Sequence, residues 1–299
     1  MIVDVFPFFN ELDVLEIRLN ELANVVDRFV ILECKETYGG DLKPLYLQSN
    51  WSRFAKFGDK ITHVITDKIN PPMAHTLHVN VPGVKAADVR TLGRLRERNQ
   101  REDLLPALRS LGLKSDDVIS FGDCDEIPRA DKVKAFAGGP LTVARLKQRT
   151  YYYNVNTMID YGRDVCSRAR LGRWGLVDNL GSMYDFRMYG SKDKPEPIAA
   201  IEEGGWHFSY FGGDMAKLYE KVQALNPFLA EYKTFGDTAL VRDILDRKDL
   251  HHRPLSFSEL PDTYASTATD DPALPAYFLA NQKRFHHFTR EYFAKRYGR

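Results

Sequence analysis

The chain has 299 residues, 43% of them hydrophobic and 28% charged, with a formal net charge of +1. These values belong to a globular protein with a full core, and the near-zero charge excludes a dedicated nucleic-acid binder. Cys34, Cys124 and Cys166 are too few and too scattered for a disulfide framework or a zinc site, which implies a reducing compartment. No stretch approaches the roughly 20 apolar residues of a membrane span.

Residues 2–8 (IVDVFPF) read as a first strand rather than a signal peptide. FNELDVLEIRLNEL follows as a helix, with Leu12, Leu15, Leu19 and Leu22 at helical spacing. Residues 27–33 (DRFVILE) are a second buried strand, closed by the loop CKETYGGDLKP. A short helix over 51–57, a third strand over 61–66 and a Pro- and His-rich loop over 70–82 come next. A helix then runs from about 86 to 111, and VISFG at 118–122 is a fourth strand. This alternation predicts an α/β fold with a mostly parallel sheet, flanked by helices and joined by right-handed crossovers. Ligands of such sheets sit at the carboxyl ends of the strands.

The second half has a different texture. Residues 141–157 (LTVARLKQRTYYYNVNT) alternate as in an antiparallel pair, and 163–173 form a basic loop. Short strands over 183–189 and 206–211 follow, then helices over 214–225 and 237–247. The tail, 274–297, reads as one basic amphipathic helix. The expectation is one domain over 1–299, with a nucleotide-type half (1–128) and an acceptor-type half with C-terminal helices (129–299).

The string VISFGDCDEIP (118–128) dominates the chemistry. An apolar strand ends in Asp123, Asp125 and Glu126. Alternation puts Asp123 and Asp125 on one side, roughly 6–7 Å apart. That pairing suits a hard divalent cation carrying phosphate oxygens; the plainer reading is a solvated strand end that caps the next helix. Asn10, Glu11 and Glu33 lie at the same strand edge. Arg90, Arg94, Arg98 and Arg101 form one helical stripe. The stripe reads first as a solvated face, with Arg98 and Arg101 as candidates for phosphate.

GGWHFSYFGG (204–213) is the second unusual string. Its glycines let backbone approach a ligand closely. His207 is either a hydrogen-bonded core residue or a third metal ligand. Tyr151, Tyr152, Tyr153, Asn154 and Asn156 form either a sugar platform or an aromatic sheet. Arg163, Arg168, Arg170 and Arg173 either steer an anion or are solvated. Cys124, between two carboxylates, is a poor nucleophile.

The strings FFNELDVLEIRLNEL, VDRFVILECKETYGGDLKPL, SDDVISFGDCDEIP, GGWHFSYFGG and LPAYFLANQKRFHHF, in this order, resemble glycosyltransferase family 17. The resemblance implies a GT-A-like fold. It also implies inverting transfer of a sugar, N-acetylglucosamine from UDP-GlcNAc, with Mn²⁺ or Mg²⁺. Asp123 and Asp125 fall on the family's Asp-x-Asp, His207 on its Gly-Trp-His, Asn10 and Glu11 on its Asn-Glu pair, and Arg101 on a Gln-Arg pair. The expected mechanism is a single displacement, with the metal on Asp125, Asp123 and His207 and the diphosphate helped by Arg98 or Arg101. Glu33 is expected at the ribose or base, and Glu203 and Asp237 are the candidate bases. Asp237 reads first as a helix N-cap. The expected partners are a nucleotide-sugar donor and a glycan or polysaccharide acceptor, in the cytoplasm and with peripheral membrane association open. The alternatives are an Asp-x-Asp phosphohydrolase and a non-catalytic nucleotide-sugar-binding module.

Overall fold

The computed structural model describes residues 1–66, 86–159, 168–191, 194–211, 214–225, 242, 246, 257–259 and 274–297. Its first strands, β1 (Ile2–Phe8) and β2 (Arg28–Cys34), are almost unbroken apolar runs, as strands covered on both faces must be. With β3 (Ile61–Thr66) and β4 (Val118–Phe121) they form a parallel sheet in the order β3–β2–β1–β4. Helix α1 (Leu12–Leu22) lays Leu12, Leu15, Leu19 and Leu22 on Phe6, Phe8, Phe29 and Ile31. Each such buried leucine contributes roughly 1.5–3 kcal/mol. Two short helices, α2 (Tyr46–Ser49) and α3 (Trp51–Phe54), close the same face through Leu47 and Phe54.

The long helix expected over 86–111 is two helices, α4 (Ala86–Glu102) and α5 (Leu104–Arg109). Pro106 explains the break. Its ring clashes with the carbonyl four residues back, at Glu102, and it has no N–H to continue the helix. Leu104, Leu105 and Leu108 of α5 cover the opposite face of the sheet, against Val3, Val5, Val30 and Leu32.

The acidic string leads into β5 (Glu126–Pro128) and α6 (Ala130–Gly138). Next come β6 (Val143–Tyr152), β7 (Thr157–Ile159) and β8 (Arg170–Arg173). Part of the expected basic loop is thus a strand, paired antiparallel with both β4 and β6. Buried Arg170 donates from Nε to the Tyr189 carbonyl at 3.0 Å, so it is structural rather than a steering charge. Helices α7 (Trp174–Leu180) and α8 (Met183–Met188) follow. The strand expected over 183–189 is therefore wrong. Ser182 caps the Asp185 amide locally, and Glu102 of α4 accepts from the Met183 amide at 2.8 Å and the Tyr184 amide at 3.2 Å. A cap supplied from 80 residues away has no local sequence signal.

Strand β9 (Ala199–Ser209) pairs parallel with β6 and antiparallel with β5. Helix α9 (Met215–Leu225) and strand β10 (Phe257–Glu259) complete the middle of the chain. Among the described residues every antiparallel strand pair includes a strand from residue 143 onward, as expected, although β6 itself also pairs parallel with β9. The tail divides into α10 (Ala276–Ala280), a 3-10 turn at His286–Phe288 and α11 (Arg290–Tyr297), not one helix. Asn281 ends α10, its Nδ2 donating to the Tyr277 carbonyl at 2.8 Å. Phe278, Phe285 and Phe288 pack on Val14 and Ile17, so α1 is buried on two sides. Among the described residues no helix is long and apolar enough to cross a membrane. The expected helix over 237–247 lies almost wholly outside the described residues.

Candidate active site

The loop between β4 and β5 is held from below by one side chain. Arg18, fully buried on α1, pairs with Asp4 through Nε and Nη2, both at 2.8 Å. Its Nη1 donates to the carbonyls of Asp123 at 2.7 Å, Cys124 at 3.2 Å and Glu126 at 2.9 Å. The planar fork thus fixes the backbone that carries both aspartates.

Asp123 is gripped from two sides. Arg101 Nη2 donates to Oδ1 at 2.6 Å and Arg187 Nη2 to Oδ2 at 2.7 Å. Arg187 also reaches Glu126 Oε2 at 2.8 Å, and that carboxylate accepts the Asp123 amide at 2.8 Å. Burial raises the Asp123 carboxyl, but Arg101 and Arg187 outweigh it and hold it well below the ordinary carboxylate range. Glu126 is lowered in the same way, by Arg187 against burial.

Asp125 has a different neighbourhood. Lys221 of α9 donates to its Oδ2 at 2.9 Å and lies 2.7 Å from Glu11 Oε1. Burial lowers this ammonium's pKa, but Asp125 and Glu11 outweigh that and raise it above the usual lysine range. Glu11 is lowered in turn, Lys221 overriding burial. The other Asp125 oxygen, Oδ1, faces His207 Nε2 at 3.9 Å. That approach is imposed by the sheet, because β5 and β9 pair Glu126 with His207 and the Phe208 amide donates to the Asp125 carbonyl at 2.8 Å.

The glycines before His207 serve this pairing rather than a ligand. Gly205 has φ +149°, and a Cβ there would lie 2.1 Å from the Ile127 carbonyl oxygen. A Cβ on Gly204 would lie 2.9 Å from Leu146. The glycines let backbone approach backbone. Gly212 and Gly213 lie outside the described residues.

A cavity of about 250 Å³ opens at this carboxyl edge, where the crossover rule places ligands. Asp123, Asp125, Glu11 and Lys221 line it, with Arg101 and Tyr38. Tyr210, at its rim, holds φ +53°, a strained conformation for a tyrosine and common near functional sites.

Of the remaining predicted site residues among those described, only Arg101 is at the cavity. Arg101 lines the cavity, but its Nη1 is on Glu97 at 2.6 Å and its Nη2 on Asp123. Arg98 is exposed over the Tyr184 ring, 4.9 Å from its centroid, on another surface. Glu33 is fully buried and faces away from the cavity. It accepts the Leu47 amide at 3.1 Å and meets His63 Nε2 at 3.1 Å, anchoring α2. Asn10 donates to the Lys217 carbonyl at 3.2 Å and Glu220 at 2.9 Å, tying β1 to α9. Glu203 sits in an exposed ion pair with Arg149 at 2.8 Å, outside the cavity. Asp237 lies outside the described residues. Tyr151 to Tyr153 are buried, Tyr151 stacking on Phe208, so they read as sheet core. Asn154 Oδ1 accepts the Asn156 amide and Asn156 Oδ1 accepts the Arg290 amide, both at 3.0 Å.

Sequence reasoning missed Arg18, Arg187 and Lys221. Arg18 carries a signal, an arginine beside Leu15, Leu19 and Leu22 on a buried stripe, where an unpaired charge is untenable. Arg187 was hidden by the wrong element assignment. Lys221 has no signal, because its carboxylate partners come from two distant loops.

A metal fits part of the predicted set. Among the described residues no group of three His, Cys, Asp or Glu is arranged to hold one. Both Asp123 oxygens are engaged by arginines, whereas Asp125 Oδ1 and His207 Nε2 face each other. Two protein donors suit Mg²⁺ or Mn²⁺, which are commonly bound through one or two side chains with phosphate and water making up the rest. The fit is to Asp125 and His207.

The family model for glycosyltransferase family 17 matches residues 1–290. The human β-1,4-mannosyl-glycoprotein 4-β-N-acetylglucosaminyltransferase is 24% identical over 297 residues, 93% of this chain. The match covers 53% of the human protein, so the chain spans about half its length. A mycobacterial protein of known crystal structure aligns at 12% identity and a TM-score of 0.37, over 78% of this chain and 74% of that one. A family match over nearly the whole sequence settles the assignment: the chain belongs to glycosyltransferase family 17.

Proposed function

We propose that the enzyme takes a nucleotide sugar, UDP-N-acetylglucosamine, and transfers the sugar with inversion to a glycan or polysaccharide hydroxyl. The observation that carries this reading is Asp125, which lines the cavity beside a buried lysine at the carboxyl edge of a parallel sheet and has His207 Nε2 3.9 Å from its Oδ1, outside the lining. The human relative's name supports the choice of sugar. The parallel half and the antiparallel additions fit the GT-A expectation.

Asp125 and His207 would hold the divalent cation, which when bound supplies Lewis-acid stabilisation of charge on the diphosphate. Asp123 has a positioning role. Clamped by Arg101 and Arg187, it keeps the loop rigid and the local charge balanced. The phosphohydrolase alternative needs Asp123 as a nucleophile, and both its oxygens are already engaged. The cytoplasmic setting and the polysaccharide acceptor belong to the same proposal.

Product analysis tests it. Incubation with UDP-GlcNAc, Mn²⁺ and a panel of glycans should release UDP and yield a GlcNAc-extended product. Turnover of simple phosphate esters, with no release of UDP from UDP-GlcNAc, would overturn the reading.

A further inference from the structure

We propose that Lys221 is a further catalytic residue, the cation that meets the leaving diphosphate of the donor. This rests on the nucleotide-sugar reading above. The sequence assigned the role to arginines on α4, and their geometry leaves the position open. Arg98 lies on another surface. Arg101 is committed to Glu97 and Asp123 rather than to Asp125, and its remaining Nε is buried. Lys43, also in the cavity lining, sits 3.7 Å from Glu33 Oε1 and is drawn below the usual lysine range by burial.

Lys221 differs from these three. Its side chain is only 4% exposed yet lines the cavity beside Asp125. Two of its three N–H donors go to Glu11 and Asp125. It comes from α9, which is tethered across the strand ends by polar contacts. Asn10 donates to Glu220, Tyr46 hydrogen-bonds the same carboxylate, and the Gly39 amide donates to the Ala224 carbonyl at 3.1 Å. The ammonium is thereby held beside one carboxylate that a cation would share, Asp125, and one that balances its charge while its other oxygen accepts the Phe9 and Asn10 amides, both at 3.1 Å, Glu11.

In the displacement, the acceptor oxygen bonds to the anomeric carbon, the bond from that carbon to the diphosphate oxygen breaks, and its electron pair stays on that oxygen. The acceptor proton passes to a general base. Lys221 keeps its own proton and gives a charge-assisted hydrogen bond to the oxygen that gains charge.

The test compares UDP with uridine by calorimetry in Mn²⁺, because only UDP carries the diphosphate. The double variant Glu11→Gln/Lys221→Met keeps the site's net charge, removing one carboxylate and one ammonium together. It should lose at least about tenfold in UDP affinity with uridine binding unchanged. An unchanged preference for UDP would mean that Lys221 is only a counter-ion and would overturn the proposal. Glu11→Gln alone is the isosteric control for a double variant that folds poorly. By removing one competitor for the ammonium it should tighten UDP relative to uridine several-fold, and an unchanged or weaker preference would again count against the role. Should the wild-type protein itself bind UDP no better than uridine, the donor reading fails first, an outcome distinct from the loss of Lys221's part in it.

Discussion

Asp123 and Asp125 stand two residues apart in one motif and have separate jobs. Asp123 spends both oxygens on guanidinium groups, while Asp125 turns one oxygen to Lys221 and the other to His207. Arg187 joins Asp123 to Glu126, and side-chain exposures of 7% and 3% make the Arg187–Glu126 pair a buried one. Breaking such a pair strands a buried charge. Arg187→Met should therefore cost about 3–5 kcal/mol in urea unfolding, and a loss near zero would refute the role given to Arg187. The acid side of the stability profile follows from the same groups. Glu11 and Glu126 are held below their ordinary value of 4.5 in the folded state. The unfolded chain takes up protons first as pH falls, so their stabilisation is complete above about pH 5 and is lost as pH falls through the depressed folded values. Urea midpoints measured at several pH values should fall steeply in acid; a flat profile would contradict the ion-pair account.

Elements, not spacing, bring these residues together. The β5–β9 pairing puts His207 beside Asp125, and Gly205 is what lets the strands approach. Gly205→Ala places a Cβ against the Ile127 carbonyl at a φ unfavourable to alanine, so it should destabilise by about 3 kcal/mol. It should also weaken Mn²⁺-dependent UDP binding, and a variant of wild-type stability would show that the close approach is not required. The parallel strands and α1 were legible because their apolar runs and leucine spacing are local. Helix α8 was not, because it is only six residues long and its local cap, Ser182, is completed by Glu102 of α4. The division of the tail was equally hidden, since its aromatic residues pack on a face of α1 that the leucine stripe did not announce.

Among the described residues the strands of both halves belong to one continuous sheet. β8 extends the parallel strands through β4, and Arg187 and Lys221 from the second half complete the site built on the first. The expected boundary at residue 128 is thus crossed by pairing and by charge. Calorimetric unfolding should show a single cooperative transition, with two separated transitions as the contrary result. At this scale the sequence was informative about the sheet edge where the acidic string lies, and about His207 as a neighbour of Asp125. It was uninformative about which aspartate is clamped by arginines, because Arg101 and Arg187 come from α4 and α8 and meet only in the fold.

Calorimetric titration of UDP, with and without Mn²⁺, into wild-type protein and Asp125→Asn tests this assignment most directly. Wild-type protein should bind UDP more tightly with the metal, and Asp125→Asn should lose at least about tenfold of that gain while remaining folded. A metal-dependent gain of the same size in Asp125→Asn would contradict the account.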